Sequence, residues 1–319
     1  MELASLEICA GAGGQALGLE QAGFGHVSLV ELDPAACQTL RLNRPHWQVV
    51  ESDLRRYSAE PWKGVALLAG GVPCPPFSKA GKQLGTGDER DLFPEALRLV
   101  AECAPEAVML ENVRGLLDGV FDAYRARIIA DLKKLGYAAE WRLLHASDFG
   151  VPQLRPRVVC VALKKSAAAY FQWPTAQVTA APTVGAALFD LMAAEGWRGA
   201  PHWREGASAI APTLVGGSKK HGGPDLGPAR AKRAWAALGV DGRSLADAAP
   251  GPDFVGLPRL TLRMAARIQG FPDHWQFSGK KTAAYRQVGN AFPPPVAHAV
   301  GRQIQAALNA AAHARLRRS

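Results

Sequence analysis

An α/β fold, with a parallel-type sheet covered by helices on both faces, is what this 319-residue sequence predicts. Three observations carry that prediction. The first half alternates short apolar runs with helix-like stretches, and such alternation builds parallel sheets wrapped by helices. The first apolar run closes on a glycine-rich turn that opens a helix, which is how such sheets begin a ligand-binding edge. Hydrophobic residues make up 48% of the chain against 20% charged, enough for a buried core and too apolar for disorder.

Taken in order, residues 3–10 read as a buried strand, followed by the turn and a helix over 15–22. Residues 26–32 form the second strand. Pro34 then opens a helix running to 42, since its fixed φ suits a first helical turn. Residues 48–50 are a third strand, and 65–69 and 107–110 are short apolar strands that stop before polar or Gly/Pro residues. Two late strands, 137–145 and 157–163, complete the set. From about 165 to 258 the texture changes to Gly, Pro and Ala with few periodic segments. Helical spacing returns at 261–269, and 294–316 is an Ala-rich helix whose closing Arg315, Arg317 and Arg318 suit a helix C-terminus. No internal repeat occurs.

Several classes are excluded or disfavoured. No apolar stretch approaches the roughly 20 residues needed to cross a bilayer, and the start lacks the basic region of a secretory signal. A soluble, cytoplasmic protein with no membrane partner is expected. Five cysteines, at 9, 37, 74, 103 and 160, form no Cys-x-x-Cys. That argues against a disulfide framework, and no metal site is expected. The 37 Lys and Arg exceed the 28 Asp and Glu, for a net charge of +9, which favours an anionic partner.

The motifs narrow this further. Cys9-Ala10-Gly11-Ala12-Gly13-Gly14 lets backbone approach a ligand closely, with helix N-terminal amides facing it. Glu31 ends the second strand about 20 residues on, where a carboxylate can accept both ribose hydroxyls. Asp53 follows the third strand and could accept from an adenine amino group or cap a helix. Cys74 lies between prolines in a rigid turn, Pro73-Cys74-Pro75-Pro76, directly after a strand. A core-filling cysteine would sit inside the strand, so this one reads as a nucleophile. Glu111-Asn112-Val113 ends another strand on the same edge. Gln153-Leu154-Arg155-Pro156-Arg157 leads into the last strand, and Gln287-Val288-Gly289-Asn290 comes late.

As an ordered set, these motifs resemble those of the DNA (cytosine-5)-methyltransferases of bacterial restriction–modification systems and orphan methylases. The likeness extends through Arg263 to Gly270-Phe271-Pro272 and leaves out only about 171–258. It implies a Rossmann-like, S-adenosylmethionine-dependent methyltransferase sheet with a smaller target-recognition domain. The division expected is 1–170 with 281–319 for catalysis and 171–280 for recognition, the last helix crossing back beside the first. The resemblance makes Cys74 the nucleophile that adds to carbon 6 of a flipped-out cytosine. Glu111 would hold ring nitrogen 3 and the exocyclic amine, and Arg157 the base carbonyl. Arg155 would lie near the same site or orient Glu111. S-adenosylmethionine, released as S-adenosylhomocysteine, would meet Cys9 to Gly14, Glu31, Leu32, Asp53, Leu54, Pro73, Leu97, Asn290 and Ala291.

Double-stranded DNA is the partner implied, with activity on chromosomal DNA. A cognate restriction endonuclease belongs to such systems, although no obligate protein partner is implied. Ser78, Lys79, Lys82 and Gln83 fall in the segment after Cys74 that would close over the base. Lys219, Lys220, Arg230 and Arg233 are candidate DNA contacts, as are Arg198, Arg204, Lys232 and Arg243. Cys9 departs from the family's usual Phe, Pro75 from Gln and His145 from Asn. Three other readings are an RNA (transfer RNA) cytosine-5 methyltransferase, a non-catalytic DNA-binding relative and a nicotinamide oxidoreductase. The first lacks its branch's Cys-Phe-Thr element here, the second predicts loss of Cys74 or Glu111, and the third explains neither Pro73-Cys74 nor Gly289-Asn290.

Overall fold

The computed structural model describes residues 3–73, 91–217 and 222–317. The chain divides into two compact units. One comprises Met1–Leu144, Pro156–Pro174 and Ala297–Ser319; the other comprises His145–Arg155 and Thr175–Val296. The sequence-based division differs at three places, because 171–174 fall in the first unit and 145–155 and 281–296 in the second. The cause of the last two is a set of buried side-chain bonds from Gln153 and Arg155 to residues 214, 268, 269, 289 and 291.

The first unit holds β1 (Leu3–Ile8), α1 (Gly14–Gln21), β2 (Phe24–Glu31), α2 (Pro34–Asn43), β3 (Val49–Glu51) and β4 (Leu67–Gly71). It continues through α3 (Phe93–Cys103), β5 (Ala107–Val113), α4 (Asp122–Lys134), β6 (Tyr137–His145), β7 (Pro156–Lys164) and α5 (Lys165–Ala168). The seven strands lie in the order β3-β2-β1-β4-β5-β7-β6. β1 pairs in parallel with β2 and β4, as do β2 with β3 and β4 with β5, whereas β7 runs antiparallel to β5. Chain order therefore reverses between β1 and β4. In open α/β sheets, ligands bind outside the carboxyl ends of the strands at such a switch point.

Local chemistry explains the elements. β7 is buried along Arg157–Leu163 and reads as a continuous apolar run, as a strand covered on both faces must. β6, at the sheet's edge, alternates buried and exposed positions. α2 starts where Asp33 Oδ1 accepts from Ala35 N at 2.9 Å, with Pro34 in the first turn. β1 stops at Ile8, two residues short of the expected limit, because Cys9 takes a left-handed φ of 50°. The sequence reading left out α3 and α4. α3 buries Phe93, Ala96, Leu99, Val100 and Cys103, a helical stripe against the core.

α6 (Val184–Met192), α7 (Ala200–Gly206), α8 (Ala229–Ala236), α9 (Leu262–Ile268) and α10 (Lys281–Asn290) lie in the second unit. α11 (Pro294–Leu316) continues from it into the first. Four tryptophans, 197, 203, 235 and 275, are buried there and supply the core that sparse periodicity hid. Two also tie down loops, Trp197 Nε1 donating to Phe254 O (2.9 Å) and Trp203 Nε1 to Gly239 O (3.1 Å). In the first unit, α11 lies against α1. A Cβ at Gly301 would stand 2.7 Å from Leu19 Cδ2 and 2.9 Å from Ala22 Cβ.

Candidate active site

The first part of the site is the β1–α1 turn. Cys9, Gly11 and Gly13 all take positive φ, at 50°, 54° and 83°. The turn is held by Ala10 N to Val30 O (3.1 Å) and Gly13 N to Ala10 O (3.0 Å). Ala10, Ala12, Gly13 and Gly14 are buried, while a Cβ at Gly11 would meet nothing within 4 Å. That leaves open space beside the half-buried Gly11 in an otherwise buried turn. Glu31, ending β2, accepts from Gly11 N (2.7 Å), Leu32 N (2.8 Å) and Asp33 N (2.7 Å). Three amides thus orient one carboxylate at the mouth of the turn.

The other expected cofactor residues lie around it with unequal freedom. Leu32 is 60% exposed, an apolar surface beside Glu31. Asp53 accepts from Arg55 N (3.0 Å) and pairs with Arg55 Nη1 (3.1 Å); the amide bond, foremost, holds its carboxyl below the usual range. Its capping role is therefore real. Leu54 is buried in the core cluster, and Leu97 lines a cleft of about 720 Å³ with Arg55, Phe93 and Tyr124. Burial, then the charges of Glu31 and Asp53, pushes the Cys9 thiol far up, so it is no nucleophile. The same interactions bring Cys9, Glu31 and Asp53 to one place. Burial likewise raises Cys37 and Cys103 to about 12, and Cys160 higher still.

The second part is built on β4, β5 and β7. Glu111 pairs in register with Gly71 on one side and Val159 on the other. Arg157 Nε lies 2.8 Å from Glu111 Oε1, with side chains only 11% and 10% exposed. Burial draws the guanidinium down from its ordinary value, and Glu111 opposes that shift. An isolated charge would be costly here, so each partner makes the other tolerable. Asn112, within the motif but given no role from sequence, sends Nδ2 to Val72 O (2.8 Å). It thereby fastens the backbone just before Pro73, whose carbonyl accepts from Leu92 N (3.3 Å). Cys74, Ser78, Lys79, Lys82 and Gln83 lie outside the described residues, as do Lys219 and Lys220.

Arg155, Asn290 and Ala291 make their described hydrogen bonds within one unit. All three belong to the second unit. Arg155 is fully buried and donates to Leu214 O (2.9 Å), Gly289 O (2.7 Å) and Ala291 O (3.1 Å). It is a backbone tie. Asn290 Nδ2 donates to Gly217 O (3.1 Å). Arg230 and Arg233 are exposed on α8 with no ion pair among the described residues. Lys232 pairs with Asp225, Arg198 with Asp253 and Arg243 with Asp241, while Arg204 lies over the Phe189 ring at 4.9 Å.

Comparison with known proteins decides the family. Residues 3–226 and 243–306 match the model for C-5 cytosine-specific DNA methylases. This chain belongs to that family. A Type II methyltransferase of Neisseria gonorrhoeae, M.NgoMIV, is 58% identical over 97% of this chain and 99% of its own. The Type II methyltransferase M.NaeI of Lentzea aerocolonigenes is 61% identical over 95% of this chain and 75% of its own. Among solved structures, Spodoptera frugiperda DNMT2 shares the fold at a TM-score of 0.66 and 18% identity, covering 95% of this chain and 99% of that one. The Entamoeba histolytica methyltransferase EhMeth aligns at 0.66 and 14% identity, covering 95% and 98%. The methylase family thus accounts for both the α/β sheet and the motif order.

Proposed function

We propose that this C-5 cytosine-specific methylase modifies a flipped-out cytosine in double-stranded DNA, with Cys74 as the attacking thiolate. The observation that carries the reading is the buried Glu111–Arg157 pair, 2.8 Å apart on β5 and β7, with Asn112 fastening Val72 beside it. A carboxyl group and a guanidinium so placed match the polar edges of a cytosine: the carboxyl, when protonated, donates to ring nitrogen 3 and accepts from the exocyclic amine, and the guanidinium donates to the carbonyl. With those atoms held, the Cys74 thiolate adds to carbon 6 and carbon 5 becomes nucleophilic. Once carbon 5 carries the methyl group, its proton passes to a base and the carbon 6–sulfur bond breaks, returning the thiolate. Among the other four cysteines, burial raises every thiol, which leaves Cys74 the reactive one. Extrusion of the base costs a few kcal/mol.

S-adenosylmethionine fits the β1–α1 turn. The open space beside Gly11, the amide-oriented Glu31 carboxylate and the exposed Leu32 suit a methionine portion, a ribose and an adenine face. Bound there, it supplies an electrophilic methyl group on a sulfonium. The chain's own part is to hold it: Gly11 to Gly14 by backbone, Glu31 on the ribose hydroxyls. The protein acts on chromosomal DNA in the cytoplasm, and the Type II names of its relatives favour a system with a cognate endonuclease.

Bisulfite sequencing of DNA from a host expressing the protein tests this. Protection at one short motif, absent with Cys74→Ser, is the expected result. Cofactor-binding protein that protects no DNA cytosine but methylates transfer RNA would replace DNA by RNA as substrate.

A further inference from the structure

Arg98 on α3 stands apart from the sequence motifs, yet it holds the backbone that carries Asp53 and Leu54. Asp53 caps a single 3₁₀ turn, Leu54–Arg56. The start of that turn is fixed twice: Ser52 N donates to Glu31 O (3.0 Å), and Asp53 Oδ1 accepts from Arg55 N (3.0 Å). Its far end is held from α3. Arg98 Nη2 donates to both Leu54 O and Tyr57 O, each at 3.0 Å. Two carboxylates of the same helix aim the guanidinium, Nε donating to Glu95 Oε2 (2.7 Å) and Nη1 to Glu102 Oε1. Glu102 then reaches the next stretch of chain, its Oε2 accepting from Ala59 N (2.8 Å) and from Ser58 Oγ (3.3 Å). Four of the five guanidinium N–H groups are thus engaged, two on the turn and two on the helix. A rigid fork can span four acceptors in this way, whereas an ammonium is a point with three donors.

We propose that Arg98 is a positioning residue for the cofactor: by fastening the Leu54–Arg56 turn to α3 it sets the Asp53 carboxylate, and through it the preference for a purine bearing a 6-amino group. The inference rests on S-adenosylmethionine occupying the β1–α1 turn with its adenine at Asp53. Arg98 touches no part of the cofactor in this account; it acts through the backbone that Asp53 shares. The approach to α3 is held separately, Leu92 N donating to Pro73 O (3.3 Å), so the chemistry at the base should be spared when Arg98 is lost.

The test measures calorimetric affinity for S-adenosylhomocysteine and for S-inosylhomocysteine, which carries a carbonyl oxygen in place of the 6-amino group. Wild type, Asp53→Ala, Arg98→Ala and Arg98→Lys are compared. Asp53→Ala sets the reference and should lose the preference for the amino compound. Arg98→Ala should bind S-adenosylhomocysteine about tenfold more weakly, the size of one lost hydrogen bond, and lose most of the preference. Arg98→Lys keeps the charge without the fork; it should fall between, and it carries the test where alanine costs the fold. In both Arg98 variants, kcat at saturating S-adenosylmethionine and KM for DNA should stay within about twofold of wild type. An equal weakening for the two ligands, with the preference kept, overturns the positioning role and leaves Arg98 a prop of the fold. A preference that survives Asp53→Ala overturns instead the placing of adenine at Asp53. A folded wild type that binds neither ligand overturns the cofactor reading, and the role of Arg98 falls with either.

Discussion

Glu7 is where burial and charge conflict most openly. Its side chain is fully buried on β1, where Gln15 Nε2 donates to Oε2 (2.9 Å) while Oε1 finds no partner among the described residues. Burial foremost pushes its pKa up to about 8, so at neutral pH it keeps its proton. His26 stands 4.0 Å away, but burial draws its pKa down to about 4. The two therefore form no ion pair. The imidazole is held neutral, Nε2 donating to Ala16 O and Nδ1 accepting from Ser5 Oγ. Between about 4.5 and 6.5 the folded chain keeps the Glu7 proton that the unfolded chain loses, and lacks the His26 proton that the unfolded chain gains. The two differences cancel, and stability is flat. From about 6.5 to 8 only Glu7 differs; the folded state binds the extra proton, so stability falls by about 1.4 kcal/mol per pH unit. Glu7→Gln should remove that alkaline decline in denaturant titrations at pH 6.5 and 8. An equal decline in the variant would refute the assignment.

Among elements, the closest approaches run through glycines. A Cβ at Gly70 on β4 would lie 2.6 Å from Ile8 O and 2.4 Å from Ile8 Cγ1, so β1 and β4 meet at the switch point only because that side chain is missing. Gly301 on α11 faces Leu19 and Ala22 of the α1 region, where the nearest atom is a leucine methyl. Overpacking costs ~1–3 kcal/mol, and Gly→Ala within a helix returns up to ~1 kcal/mol. Gly70→Ala, opposed by a backbone carbonyl and without that return, should lose ~2 kcal/mol or more. Gly301→Ala should lose ~1 kcal/mol or less. Chemical denaturation of both variants checks the ranking, and an equal loss would mean that the β1–β4 contact relaxes as easily as a side chain.

At the scale of the molecule, charge decides how DNA is met. A surplus of nine cations predicts binding that weakens steeply with salt, the logarithm of affinity falling by about 0.9 per phosphate contacted for each logarithm of salt. Many of the arginines are committed to carboxylates, as Arg198, Arg243, Arg259 and Arg267 show. Arg230 and Arg233 on α8 carry no such pair among the described residues. Replacing either with Ala should lower the salt slope by about one and weaken cognate and non-cognate DNA alike. A slope that stays unchanged would remove α8 from the phosphate-binding surface.

How much was legible follows the reach of each interaction. The sequence by itself determined the sheet's class, the glycine turn and the placing of Glu31 and Glu111 toward the carboxyl ends of their strands and of Arg157 at the start of the last one, because strand ends are local positions that a short stretch of sequence marks. Asn112 was readable as part of its motif, yet its task appears only once Val72 lies beside it on β4. The carbonyls that Arg155 ties were hidden for the same reason. Arg155 sits two residues from Arg157 in the chain, but its partners Leu214 and Gly289 are 59 and 134 residues away. The tryptophan core of the second unit was likewise hidden, since four large side chains spread over 79 positions leave no period to read. Only the tertiary structure decided which carbonyls a buried guanidinium must satisfy, because that depends on what the fold brings within 3 Å rather than on what stands next in the chain.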